Sequence, residues 1–275
     1  MKAPAPPEGA PWDLPIGEAD FAFVDLEMTG LDVSKDHVIE VCVERVRGSV
    51  VVDRFVSLVK PEKNAGGANH IHGITESDLA DAPRFAELAA RIREILHGAV
   101  FVAHGAKWDV AFLEAEMKRA GQTFSIPHYV DTLNLARRAF GLKSHSLDAL
   151  CTHFGIDRGV AHRAEADVTA LRDIFGRTVA ALDPANVRDL WEVRVGGEGV
   201  RHAVVEALNE ALASGRETSL QYRPSGKSPQ NLTMVITEIR SNMDPPRAIG
   251  YLVPGRSRRE LRIDRILHVE PFPST

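Results

Sequence analysis

Asp25 and Glu27 stand two residues apart in the run FVDLEMTGL, Phe23 to Leu31, in an apolar stretch that ends at Thr29-Gly30. On an extended chain, residues two apart project to the same face. If residues 22–26 form a strand, the two carboxylates therefore point the same way. Two anions side by side at the end of a buried strand repel each other and cost desolvation energy. A divalent cation such as magnesium or manganese removes both penalties, because these ions favour carboxylate oxygen. A solvated strand face that happens to carry two acids accounts for the pair equally well.

Further acids and a histidine fall near turns. In VFVAHGAKWDVAFL, residues 100–113, a short buried strand leads to His104 and then to Asp109 in the first turn of a helix. The helix dipole favours an acid there whatever its function. In AHRAEADVTAL, residues 161–171, Asp167 lies one turn into a helix and His162 in the loop or first turn before it. A separation of five is poor for a shared helix face, so His162 has to reach any common site from the entry loop. Taken alone, His162 reads as a surface or capping histidine.

The elements that would position these groups follow from periodicity. Residues 22–26, 38–46 and 49–59 read as Val-rich strands. A loop follows Lys60-Pro61, Thr75 or Ser77 caps a short helix, and Pro83 opens a longer one over RFAELAARIREIL. Strands at 99–103 and 129–130 alternate with helices at 107–121, 131–140, 144–156 and 162–182. Strands first and then alternating helix and strand predict an α/β domain over residues 19–182. Residues 1–18 read as a disordered lead-in, and 183–214 as a helical connector broken at Gly196-Gly197. Residues 215–275 read as a small all-β module.

Composition narrows the setting. The chain has 275 residues, 44% hydrophobic and 26% charged, as in an ordinary globular protein. No apolar run is long enough for a membrane helix, and the start lacks a secretory core. Cys42 and Cys151 sit in apolar patterns and read as reduced core residues. A cytoplasmic location is the expectation. Net charge is −5, divided as −9 over residues 1–215 and +4 over 216–275. The acidic part suits a carboxylate metal site; the basic tail suits either a nucleic-acid contact or a solvated surface.

Four acids and a late histidine together resemble the DEDD exonuclease superfamily in its histidine-bearing branch, which has an RNase H-like fold. The motifs DLEMTGL, AHGAKWDVAFL and HRAEADVTAL occur in the family's order, with an IHGIT loop and a DT-to-SHSLDAL stretch between them, over about residues 20–180. The nearest likeness is to the proofreading subunit of bacterial DNA polymerase III and its stand-alone relatives. The resemblance implies that Asp25, Glu27, Asp109 and Asp167 hold two divalent ions, magnesium or manganese, about 4 Å apart. His162 would take the proton from the attacking water, and nucleoside 5′-monophosphates would leave a 3′ end. Met28, Thr29, Gly30 and Leu31 would line the terminal-nucleotide pocket, with Leu31 as a wedge between bases. His72, His104 and Trp108 would approach the substrate, although a loop-ordering hydrogen bond serves His72 as well. Gly105 and Trp108 stand where the family commonly has Asn and Phe, which puts substrate affinity and local packing in question.

The tail resembles the WYL domain, a small SH3-like barrel, through SLQYRPSGKS, VITEIR and AIGYLVPGRSRRELRIDRIL. Tyr222 and Tyr251 are candidates for base stacking, and Arg223, Arg256, Arg258, Arg259, Arg262 and Arg265 for phosphate contacts. Edge-protecting solvated arginines explain the same pattern. The whole chain is thus expected to be α/β, an RNase H-like exonuclease domain with a mixed sheet flanked by helices plus a C-terminal all-β barrel. Its expected partner is a nucleic acid with a free 3′ end, single-stranded DNA first, with no membrane and no defined protein partner. RNA or short oligoribonucleotides are the alternative substrate, and a non-catalytic nucleic-acid-binding regulator the rival from another class.

Overall fold

The computed structural model describes residues 5–62, 72–159, 161–195, 202–224, 230–241, 243 and 246–270. Strands β1 (Asp20–Met28), β2 (Val38–Arg47), β3 (Val50–Leu58), β4 (Val100–Ala103) and β5 (Val130–Asp131) form one sheet in the order β3-β2-β1-β4-β5. β1 pairs antiparallel with β2, and β2 with β3, whereas β1–β4 and β4–β5 are parallel, so the sheet is mixed. The helices are α1 (Glu76–Leu79), α2 (Phe85–Leu96), α3 (Lys107–Arg119), α4 (Thr132–Ala139), α5 (Leu147–Phe154), α6 (Ala164–Leu182), α7 (Val187–Val195) and α8 (His202–Ser214).

Alternation along β1 divides the core in two. Phe21 and Phe23 pack against Phe175 of α6 at ring separations of 4.9 and 5.3 Å, in a cluster that also takes residues of α4, α5 and α7. Ala22, Val24 and Leu26 face the other side, against α2 and α3. Burying a phenylalanine such as Phe23, 1% exposed, contributes about 2–3 kcal/mol. The same period of two carries Asp25 and Glu27 onto the α6 side as the apolar row gives out. β1 lies in the middle of the sheet and its C-terminal end opens beside β4, the usual place for a site in such a sheet.

Of the Pro-rich start expected to be a disordered lead-in, the described residues 5–18 include Trp12, Leu14 and Ile16 packed on the first core. Trp12 is 5% exposed and stacks edge-on with Trp191 of α7 and His128, at 6.0 and 5.9 Å. The backbone of α7 closes on it, since Arg188 N donates to Trp12 O at 2.7 Å and Val187 N to Leu14 O at 3.1 Å. Charge and proline suggest a solvated segment, but one large aromatic anchored in a distant pocket outweighs them. The segment expected to connect the two parts is divided between them. Val187, Leu190 and Trp191 of α7 join the first core, while Val204, Leu208 and Ala211 of α8 join the second. The expected break at Gly196-Gly197 lies outside the described residues.

The C-terminal strands β6 (Glu217–Tyr222), β7 (Gln230–Arg240), β8 (Arg247–Leu252), β9 (Arg258–Arg262) and β10 (Ile266–Val269) form one antiparallel sheet, ordered β10-β6-β7-β8-β9. A 3₁₀ turn, Ile263–Arg265, leads into β10. Arg223 ties this sheet to the first unit, donating to the carbonyls of Arg137 at 3.0 Å and Leu142 at 2.9 Å. Among the described residues, no helix is long and apolar enough to cross a membrane.

Candidate active site

Asp25 and Glu27 reach the site from β1, Asp109 from the first turn of α3, Asp167 from the first turn of α6, and His162 from the loop two residues before α6. Glu27, His162 and Asp167 each bring a ligand atom within 4.8 Å of the others. Asp109 and Asp167 are buried, at 6% and 4% exposure. His162 adopts a left-handed backbone, φ 60°, which costs a β-carbon-bearing residue energy and marks a position fixed by its surroundings. That bend, and not the barrel of α6, carries the imidazole to the acids.

The carboxylates feel one another. Burial holds Asp25 well above the usual carboxylate range, and the charges of Asp109, Asp167 and Glu27 raise it further. Burial likewise pushes Glu27 to about 7, with Asp167 and Glu40 adding to the effect. Asp109 also rises to about 7 through burial, although backbone N–H groups of Asp109 and Leu26 hydrogen-bond its carboxylate and oppose the rise. Hard oxygen donors crowded into a low-dielectric pocket with too little positive charge suit a divalent cation. Asp25, Glu27, Asp109 and Asp167 are the residues that could hold one.

Two further groups, absent from the expected set, stand near the acids. Glu40 of β2 lies opposite Glu27 in the strand register and is 2% exposed. Arg163 neutralises it, donating from Nη2 to Oε1 at 2.7 Å, while Ala164 N donates to Oε2 at 3.0 Å and starts α6. Glu40 thus fixes the helix that carries Asp167. Arg158, the second, grips Asp167 itself from the loop before α6. The alternation in VIEVCVERV could have flagged Glu40 as inward-facing; nothing local flags Arg158.

The remaining expected residues divide. Thr29 is buried and closes the turn after β1: its Oγ1 donates to Asp36 Oδ1 and accepts from His37 N, both at 3.0 Å. A Cβ at Gly30 would lie 2.7 Å from the Asp36 carboxyl carbon, so a larger residue would have to push aside the carboxylate that Thr29 holds. Met28 is part-buried against the α3 side, and Leu31 projects to solvent at 68% exposure. Trp108 stands 43% exposed in the first turn of α3, with Lys107 Nζ 5.6 Å from its ring centre. Gly105 has φ 78°, a region that glycine adopts without strain, and its N–H donates to Asp131 Oδ1 at 3.0 Å.

His104 and His72 do structural work. His104 Nε2 donates to His145 O at 2.9 Å and its Nδ1 meets Thr132 Oγ1 at 2.9 Å, so both ring nitrogens are committed within the protein. Burial lowers its pKa and keeps it neutral. His72 is buried, and its Nδ1 accepts from Ile74 N at 3.1 Å, a bond that orders the loop. The loop residues just before it lie outside the described residues. In the tail, Arg223 is spent on the carbonyls of Arg137 and Leu142, and Arg262 pairs with Asp264 at 2.6 Å, which removes both from the set of simple phosphate contacts. Tyr222 is part-buried against the second core. Tyr251, Arg256, Arg258 and Arg259 are exposed, and Tyr251 faces Arg258 across the β8–β9 pair.

The profile of the exonuclease family, RNase_T, matches residues 22–175. A PolC-type DNA polymerase III from Caldanaerobacter subterraneus is 32% identical over 64% of this chain, which spans 13% of that polymerase's length. A DNA polymerase III subunit epsilon-like protein from Rhodobacter capsulatus is 33% identical over 70% of this chain and 29% of its own length. Among solved structures, exonuclease I superposes with a TM-score of 0.55 at 17% identity, covering 86% of this chain and 56% of that one. The nuclease domain of 3′hExo, described as a DEDDh family member bound to rAMP, superposes with a TM-score of 0.52 at 16% identity, covering 64% and 95%. These likenesses establish the α/β exonuclease fold.

Proposed function

This chain belongs to the exonuclease family, and from that premise we propose that it hydrolyses nucleic acid from the 3′ end and releases nucleoside 5′-monophosphates. Asp25, Glu27, Asp109 and Asp167 serve as ligands for two divalent ions, magnesium or manganese, and His162 as general base. The approach of Glu27, His162 and Asp167 to within 4.8 Å of one another, with the charges of Asp109, Asp167 and Glu27 acting on Asp25, supports this reading most directly. Ions bound there would generate hydroxide from water and stabilise the leaving 3′ oxygen. The imidazole of His162, beside Glu27 and Asp167, takes the proton of the attacking water at a ring nitrogen. Glu40 and Arg163 keep the start of α6, and with it Asp167, in position.

DNA is the proposed substrate, since the relatives matched over most of this domain are DNA polymerase components by name. The terminal nucleotide would meet the turn at Met28, Thr29 and Gly30, with Leu31 and Trp108 as exposed apolar contacts. We take residues 215–275 as a WYL-like module on an SH3-like plan, a reading supported by the last strand returning to pair with the first. Its nucleic-acid face would centre on Tyr251, Arg256, Arg258 and Arg259.

The direct test is digestion of an end-labelled single-stranded DNA by the full chain with magnesium or manganese. Mononucleotide release from the 3′ end is expected, and Asp25→Ala or Asp167→Ala abolishes it while the circular dichroism spectrum is retained. Unchanged turnover by either variant removes that residue from the ligand set.

A further inference from the structure

The carboxylate cluster already contains a cation. Arg158, in the loop between α5 and α6, donates from Nε to Asp167 Oδ1 at 2.5 Å and from Nη2 to Asp167 Oδ2. Its third nitrogen, Nη1, donates to Asp148 Oδ1. The Arg158 side chain is 8% exposed, against 62% for that of Asp148. Its charge lowers the pKa of both Asp25 and Glu27, opposing burial and the neighbouring acids.

We infer that Arg158 is the internal counter-ion of this cluster: it holds Asp167 while no divalent ion is bound and surrenders that carboxylate when one binds, remaining tied to Asp148. The inference rests on the reading of these acids as metal ligands. The fork of Arg158 takes up both oxygens of Asp167 in the bidentate geometry that guanidinium favours. A dication on the same oxygens would lie within a few ångströms of the guanidinium, where like charges in a buried site repel strongly. The two cations therefore compete for those oxygens. Asp148, largely solvated, offers Arg158 a second anchor that costs little to keep. Ion loading is then an exchange of one cation for another.

A structural clip, by contrast, would only fasten this loop to α5 and α6, and cutting it would leave Asp167 less well placed and metal binding weaker or unchanged. The two roles therefore predict opposite signs. The test is a manganese titration of the full chain at pH 8, read by electron paramagnetic resonance without substrate, with thermal melts in chelator and in manganese. Arg158→Gln binds manganese about tenfold more tightly than the parent, as expected from the loss of a charge-assisted pair. It also melts lower in chelator and gains more on adding manganese. Arg158→Lys, which keeps the charge and loses the fork, falls between, and it decides the sign if the glutamine variant does not fold. Manganese binding by these variants that is equal to or weaker than the parent's overturns the inference. A parent chain that binds no manganese at all refutes the metal-site reading itself, a result distinguishable from the first.

Discussion

Replacing Asp109 by asparagine should make the metal-free protein more stable while disabling it. Asp109 is 6% exposed, and burial pushes its carboxyl from 3.8 to about 7. Ionising it in the folded chain therefore costs on the order of 4 kcal/mol more than in the unfolded chain. The folded state holds the proton more tightly, so the stability from this group is complete below about pH 4 and is lost as the pH rises to about 7. Above that, the whole penalty stands. Asparagine has the same shape and cannot ionise. Neighbouring acids adjust their own protonation in response, so about half of the penalty is expected as gain. For Asp109→Asn in chelator at pH 8, about 2 kcal/mol corresponds to a melting temperature higher by about 4–8 °C. At pH 5 the parent's carboxyl is already neutral, and the two chains should agree within about 1 kcal/mol. Saturating manganese reverses the order at pH 8, because only the parent gains binding free energy, about 2.7 kcal/mol at a hundred times Kd. Thermal melts at both pH values, with chelator and with manganese, measure all four states. A variant that melts below the parent at pH 8 in chelator would refute the claim that Asp109 is held ionised at a cost.

Two further outcomes are expected. Glu27 and Asp109 both titrate near 7 without ions, so protons compete with the metal below that pH. At sub-saturating manganese the hydrolysis rate should climb through about pH 7 and level off above it; a profile flat from pH 6 to 8 speaks against these ligands. In the C-terminal sheet, the double substitution Tyr251→Ala and Arg258→Ala should weaken single-stranded DNA binding and lower its salt slope by about one phosphate contact. Fluorescence anisotropy at several salt concentrations, with no change in either quantity, would count against that face.

Much of the architecture was legible because its signals are local. The alternation of β1 sets Asp25 and Glu27 on one face and its phenylalanines beneath them, and this needs only a period of two. Asp109 and Asp167 fall in first helical turns because the apolar period of each helix says where it begins. The entry loop was the only route for His162, since five residues do not share a helix face. The lead-in and the connector were harder. Trp12 finds Trp191 some 180 residues away, and no periodicity within either segment announces the pairing.

Residue order therefore yields the inventory and the local geometry: four acids, one histidine, and the elements that present them. Which charge neutralises which is settled by packing alone. Glu40 faces Glu27 because β2 pairs with β1 in one register, and Arg163 then crosses over to hold it. Arg158 reaches Asp167 across a loop, and Arg223 turns to two carbonyls of the first domain. Ion pairs of this kind are fixed by proximity in space, and a long guanidinium side chain can reach any of several partners. Spacing along a chain encodes faces and turns, but the partner of a buried charge is chosen only when the elements pack.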